Sequence, residues 1–227
     1  KLDKLQANGQ LNGYPLSMQG KLSGNQQMQW TFENIRLSSG QNRLQLDGSL
    51  GERWQARGSL QATDLKQLHP DLAGSASAKL LLSGTRRAPE LAVTLTSDEL
   101  SLPDMRLRQV ALDGALKMGA LWSGHLQTSI GRVRSGDLRF TQFALQLTGD
   151  ERAHQLQMSV DGQPLSAALQ VNGSWTRAGW QGALETAHIR TPVANWVLQS
   201  PLQVALSRAL TTLTLSEQCW LADKQGM

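Results

Sequence analysis

Between Leu44 and Leu60 the chain reads LQLDGSLGERWQARGSL, and apolar residues take every second place. Leu44, Leu46, Gly48 and Leu50 share one parity; a short Gly51-Glu52-Arg53 turn follows, and Trp54, Ala56, Gly58 and Leu60 continue it. Successive side chains of a strand point to opposite faces, so a period of two demands a β-hairpin with one apolar face. Gly48 and Gly58 stand in line with the leucines, where a packed face would want a side chain. Glycine inside a strand costs roughly 0.5–1 kcal/mol and marks a bend, a bulge or a close approach. The expectation is a sheet that curls with its apolar face inward, because glycine relieves crowding on the concave side.

The device recurs. LDGALKMGALWSGHL follows LDGSLGERWQARGSL sixty-six residues later, and LQVNGSWTRAGWQGAL is a looser third copy. The spacing is too irregular for a strict solenoid and fits a β-meander built from one kind of hairpin. The in-line curvature glycines are Gly48, Gly58, Gly84, Gly114, Gly124, Gly149, Gly173 and Gly182. The same parity assigns to the inner wall Leu44, Leu46, Leu50, Trp54, Leu60, Leu80, Leu82, Val93, Leu95, Leu112, Leu116 and Trp122. It continues through Leu126, Leu145, Leu147, Leu156, Met158, Val160, Leu169, Val171, Leu184, Leu202, Val204 and Leu206.

About sixteen short strands of roughly 5–9 residues are expected. Near the start these include Leu16 to Leu22, then a strand through Met28, Trp30 and Phe32, with Ile35 and Leu37 leading out of a turn at Asn34. One helical fragment interrupts them, TDLKQLHPDLAG, where Thr63 or Asp64 caps a single turn and Pro70 ends it. The class is all-β: a long antiparallel sheet curled into an open half-barrel groove with an apolar concave face, residues 1–227 forming a single segment. A sandwich is the competing way to cover so much apolar surface, since two sheets can pack face to face.

Composition narrows the function. Of 227 residues, 40% are hydrophobic but only 5% aromatic, and leucine dominates the apolar positions. The net charge of +4 is spread singly, with no basic run beyond Arg86-Arg87, which argues against nucleic acid. No stretch reaches the ~20 apolar residues of a membrane-spanning helix, and Lys1 opens no signal peptide. The abrupt ends suggest a piece of a longer chain. Cys219 is the one cysteine, a structural thiol or half of a bridge to a residue beyond Met227.

No catalytic or cofactor constellation assembles. His69, His125, His154 and His188 lie far apart and read as surface residues, and no metal-ligand spacing, phosphate loop or nucleophile elbow is present. Asp47, Asp113 and Asp161 neighbour strand glycines and suit a polar outer face or a bulge. Asn172-Gly173-Ser174 matches a glycosylation acceptor by chance length alone.

The segment from Leu37 to Leu91, with its SGQNRLQLDGSLGERW hairpin, DLKQLHPDLAG turn and LLLSGTRRAPEL strand pair, resembles the TamB family of AsmA-like proteins. The likeness continues through ALQLTGDERAHQLQMSVDGQPLSAALQVNGSW, WQGAL, TPVANW and CW. It implies a fragment of the central periplasmic region of a β-rich Gram-negative protein, anchored in the inner membrane by an N-terminal helix outside this segment. It further implies a bridge-like carrier whose groove holds phospholipid acyl chains on their way to the outer membrane. The alternative it allows is a scaffold for outer-membrane protein or autotransporter assembly, pairing strands alongside a TamA-like barrel partner. In the family CW is soon followed by a second cysteine, which this chain lacks. A slice of such a sheet has exposed edges near Lys1 and Cys219, and self-association through them is expected.

Overall fold

The computed structural model describes residues 2–27 and 29–223. Met28, expected in a strand, and the tail from residue 224 lie outside them. The chain divides into two compact units, residues 1–120 and 121–227. Both are all-β and antiparallel, built as open, curled meanders.

The first unit runs β1 (Leu2–Leu11), β2 (Tyr14–Gly24), β3 (Trp30–Ser39), β4 (Asn42–Leu50), β5 (Trp54–Ala62), β6 (Ala73–Gly74), β7 (Ala76–Thr85), β8 (Ala88–Leu102) and β9 (Met105–Lys117). Each strand pairs with the next, except that β5 pairs with β7 and the two-residue β6 reaches over to β8. Asn12 and Gly13, both at positive φ (50° and 82°), make the two-residue turn between β1 and β2. That geometry follows the right-handed twist of the flanking strands.

The second unit runs β10 (Ser123–Ser135), β11 (Leu138–Asp150), β12 (His154–Gln163), β13 (Ser166–Trp175) and β14 (Gly179–Arg190), again each against the next. β14 then serves two partners. Its first half pairs with β16 (Leu202–Ser207) and its end with β15 (Asn195–Leu198). β17 (Leu213–Leu215) adds to β16, and β18 (Trp220–Asp223) adds to β15.

A conventional core is nearly missing. Among the described residues seven apolar side chains are buried, namely Ala62, Leu65, Pro89, Ala183, Ala187, Ala194 and Leu198, and no large side chain is fully enclosed. The accessible surface is 15377 Å² for 24.8 kDa. A compact monomer of that mass would expose about 10,200 Å², and two separate compact halves about 12,300 Å². The surplus is sheet face that nothing covers.

Much of the first unit's burial sits at one end, under the β5–β7 connection, where Ser39, Asn42, Ala62, Leu65 and Gln67 are buried. A 3-10 turn, Leu65–Gln67, is capped by the Asp64 carboxylate, which accepts from Lys66 N at 3.1 Å. Its Gln67 Oε1 accepts from Gln41 N at 2.7 Å, and Asn12 Nδ2 donates to Leu68 O at 2.7 Å. Asn42, 2% exposed, binds it on both sides: Nδ2 donates to Asp64 O (2.9 Å) and Oδ1 accepts from Asp64 N (3.1 Å). Replacing Asn42 by alanine orphans both groups and destabilises the first unit by about 3 kcal/mol. A lower urea midpoint, with faster amide exchange at residues 63–68, is the expected result.

Two sequence expectations change. Eighteen strands form among the described residues, and β8 to β11 reach 13–15 residues, longer than the expected 5–9. Asn34 is not a turn between strands. It is a bulge inside β3 at φ 51°, its N–H held by Asp47 Oδ1 at 2.8 Å, and β3 runs on through it.

Candidate functional site: a charge-free apolar face

Backbone register lines the apolar residues up in rows that cross the strands. In the first unit one row runs Ala7, Met18, Leu37, Leu44, Leu60, Ala78, Leu95 and Leu112, one residue from each of eight strands. Beside it run Ile35, Leu46, Gly58, Leu80, Val93 and Gly114, then Leu22, Phe32, Gly48, Ala56, Leu82, Leu91 and Leu116. Trp30, Leu50 and Trp54 close the face at one end, and Gly84 opposite Pro89 reaches the same end.

The second unit repeats the pattern. Leu126, Leu147, Leu156, Val171, Leu184 and Leu202 form one row; Leu145, Met158, Leu169 and Ala187 another; Ile130, Phe143, Val160, Ala167 and Ile189 a third. Trp175, Trp180, Leu206 and Leu213 form the row at one end. None of these positions carries Lys, Arg, Asp or Glu. Directly opposed side chains sit with Cβ atoms ~4.5–5.5 Å apart, so each row is a continuous apolar strip. Leu80 and Leu147 nevertheless remain 38% and 36% exposed. The alternate rows are polar, as in Gln127, Gln146, Gln157, Gln170 and Thr186.

A row of glycines crosses the second unit: Gly124, Gly149, His154, Gly173, Gly182 and Val204. The Trp180 indole lies over Gly173 and Gly182, where a Cβ on either would run into the ring. Trp180 Nε1 donates to His154 Nε2 at 2.7 Å, and the other imidazole nitrogen stands 2.9 Å from Asp150 O. With Nε2 accepting, Nδ1 carries the proton and donates to that carbonyl. His154 is therefore not a surface residue of the polar parity; it is a half-buried member of the apolar face. Trp180→Phe removes the donor and leaves Nε2 unpaired, lowering the stability of the second unit by about 1–2 kcal/mol in a denaturant titration. The other expected surface histidines, His69, His125 and His188, are exposed.

All the wall residues chosen by parity fall on these faces except Trp122, which stands just ahead of β10 and is 52% exposed. Met18, Phe32, Ile35, Leu37, Leu91, Ile130 and Phe143, apolar strand positions left out of that wall set, join the same rows. Extra residues in β3 and β11 turn the alternation of those strands over by one residue. Among the described residues no group of three or more His, Cys, Asp or Glu could hold a metal ion, and no helix is long and apolar enough to cross a membrane. Cys219 is free and exposed.

Residues 1–226 match the family model described as the N-terminal domain of TamB. The chain belongs to the TamB family. The translocation and assembly module subunit TamB of Haemophilus influenzae is 27% identical over 216 residues, covering 94% of this chain and 17% of that protein. An uncharacterized protein of Buchnera aphidicola is 21% identical over 159 residues, 69% of this chain and 16% of its own length. The chain thus spans about a sixth of the length of the curated relatives it matches. No solved structure matches it.

Proposed function

We propose that the apolar faces of this TamB segment are the wall of a periplasmic lipid conduit, carrying phospholipid between the inner and outer membranes. The observation that carries the reading is a charge-free apolar face, aligned over eight strands in the first unit and left half-exposed. Removing an acyl chain of ~16 carbons from water at ~0.8 kcal/mol per methylene is worth roughly 12 kcal/mol. Rows of equivalent leucines let a tail slide with little change in buried area, which a single deep pocket would not. The relative's name, a translocation and assembly module subunit, supports a place in that module beside a TamA-type outer-membrane partner.

Native mass spectrometry of the protein purified without detergent tests this. Bound diacyl lipid is expected, together with lipid adducts from a photo-crosslinker at Leu112 and none from one at Asp113. A lipid-free protein, or adducts at both positions alike, would overturn the conduit and favour assembly by strand pairing at an exposed edge.

A further inference from the structure

Across the middle of the second unit, the polar face of the sheet carries no charge. Three adjacent rows cross it: Ser129, Ala144, Ser159, Ala168 and His188; the glutamine row from Gln127 to Thr186; and His125, Thr148, Gln155, Asn172, Ala183 and Gln203. No position in them is Lys, Arg, Asp or Glu. The first unit's polar face differs, since its row through Arg36, Gln45, Ser59, Lys79, Thr94 and Asp113 mixes both signs of charge.

Beside β14 this uncharged face opens into a cleft of about 650 Å³, a volume within the ~300–1,000 Å³ of small-molecule sites. The cleft lies where β14 changes partners. Pairing with β16 ends at Leu184 and pairing with β15 begins at His188, and Glu185 is the extra residue at the register shift against β13. A bulge re-aims the side chain it carries, and Glu185 joins the cleft wall. Ala183, 7% exposed, is too short to fill the space. Trp180 covers Gly173 and Gly182 on the apolar face, and the cleft reaches the same glycines from the polar face.

The polar groups of the cleft are arranged in a chain. Gln157 Nε2 donates to Gln155 Oε1 at 3.3 Å, and Gln155 Nε2 donates to Asn172 Oδ1 at 3.1 Å. Linked amides polarise one another, and this chain ends on Asn172 Nδ2, half-buried in the cleft wall with no acceptor among the described residues. The half-buried Glu185 carboxylate has no donor among them either. Gln181 and Gln203 add amides that both donate and accept, and Arg152 stands exposed at the rim. Ala183 pairs directly with Asn172 and lies two residues before Glu185, so a free donor, a small apolar surface and a free acceptor follow one another.

We propose that this cleft binds the acetamido group of an N-acetylated sugar chain, whose neighbouring rings lie on the uncharged polar rows. An acetamido group presents a carbonyl, a methyl and an N–H. Asn172 Nδ2 donates to the carbonyl, Ala183 meets the methyl, and the Glu185 carboxylate accepts from the N–H. Amides and hydroxyls on the surrounding rows offer partners to sugar hydroxyls without drawing in ions. The site faces away from the apolar rows and is independent of the lipid reading.

Isothermal titration of the chain with the tetramer of N-acetylglucosamine tests this. Saturable binding is expected, roughly fivefold or more tighter than for cellotetraose, which carries hydroxyls where the acetamido groups stand. Glu185→Gln keeps the shape and removes the charge, and it weakens binding roughly tenfold; Asn172→Ala weakens it roughly three- to tenfold. Gln45→Ala, in the first unit, binds as wild type. Absence of saturable binding, equal affinity for the two tetramers, or undiminished binding by both variants overturns the assignment. A thermal melt checks that the variants fold, and should Asn172→Ala fail, Glu185→Gln decides, because its side chain has no partner in the fold among the described residues. None of these outcomes bears on lipid loading.

Discussion

Arginine in place of Leu147 empties much of the second unit's face, lowering bound lipid by roughly 30- to 1,000-fold. Leu147 lies between Leu126 and Leu156 in the longest leucine row of that unit. A charged side chain set against lipid tails costs about 2–4 kcal/mol, as on the outer wall of a membrane barrel. The fold should tolerate the change. At 36% exposure Leu147 has little protein packed over it, and the arginine stem can lie along its neighbours. Native mass spectrometry reads the loss and a thermal melt reads the fold. Gln146→Arg, one residue along on the glutamine row, is the control and should load as wild type. Equal loss in both variants, or normal loading by folded Leu147→Arg, sinks the conduit.

Gly48→Val and Gly58→Ala should move in opposite directions, although the two glycines look alike in the sequence. Gly48 has φ 147°, a conformation L residues rarely adopt, and a Cβ there collides with Gln55 O and the Ala56 backbone. Strain of about 1–3 kcal/mol plus the clash predicts a loss of ~3–4 kcal/mol. In a unit of this size the melting temperature falls by roughly 10–15 °C. At Gly58 a Cβ finds ordinary contacts, 3.5 Å from Leu80 Cβ and 3.8 Å from Gln45 O. Alanine is accommodated there and gains about 0.5–1 kcal/mol by stiffening the unfolded chain. Differential scanning calorimetry separates them, and a destabilised Gly58→Ala would contradict the pairing of Gly58 with Leu46 and Leu80.

That contrast shows what alternation can and cannot reveal. Period two exposes the strand class, the hairpin at residues 51–53 and most of the apolar face, because parity is a property of the backbone itself. Bulges are invisible to it. The extra residue at Asn34 depends on Asp47, thirteen positions away, and each such slip moves the following side chains to the other face. Gly48 and Gly58 separate only when φ and the opposing strand are known. His154 read as polar surface because imidazole usually is; its partner Trp180 is distant in sequence and adjacent only after β13 has been laid between them.

The near-absence of enclosed apolar side chains bears on what counts as the folded state. On the proposed conduit reading, a protein that leaves its leucine rows uncovered borrows the material to cover them, so its cargo would act thermodynamically as a removable core. Whatever binds the native sheet and not the unfolded chain adds stability as RT ln(1 + [L]/Kd). Stability then becomes a property of the membrane's supply as much as of the sequence: rigidity rises while lipid is plentiful, and the sheet slackens as the last molecule leaves.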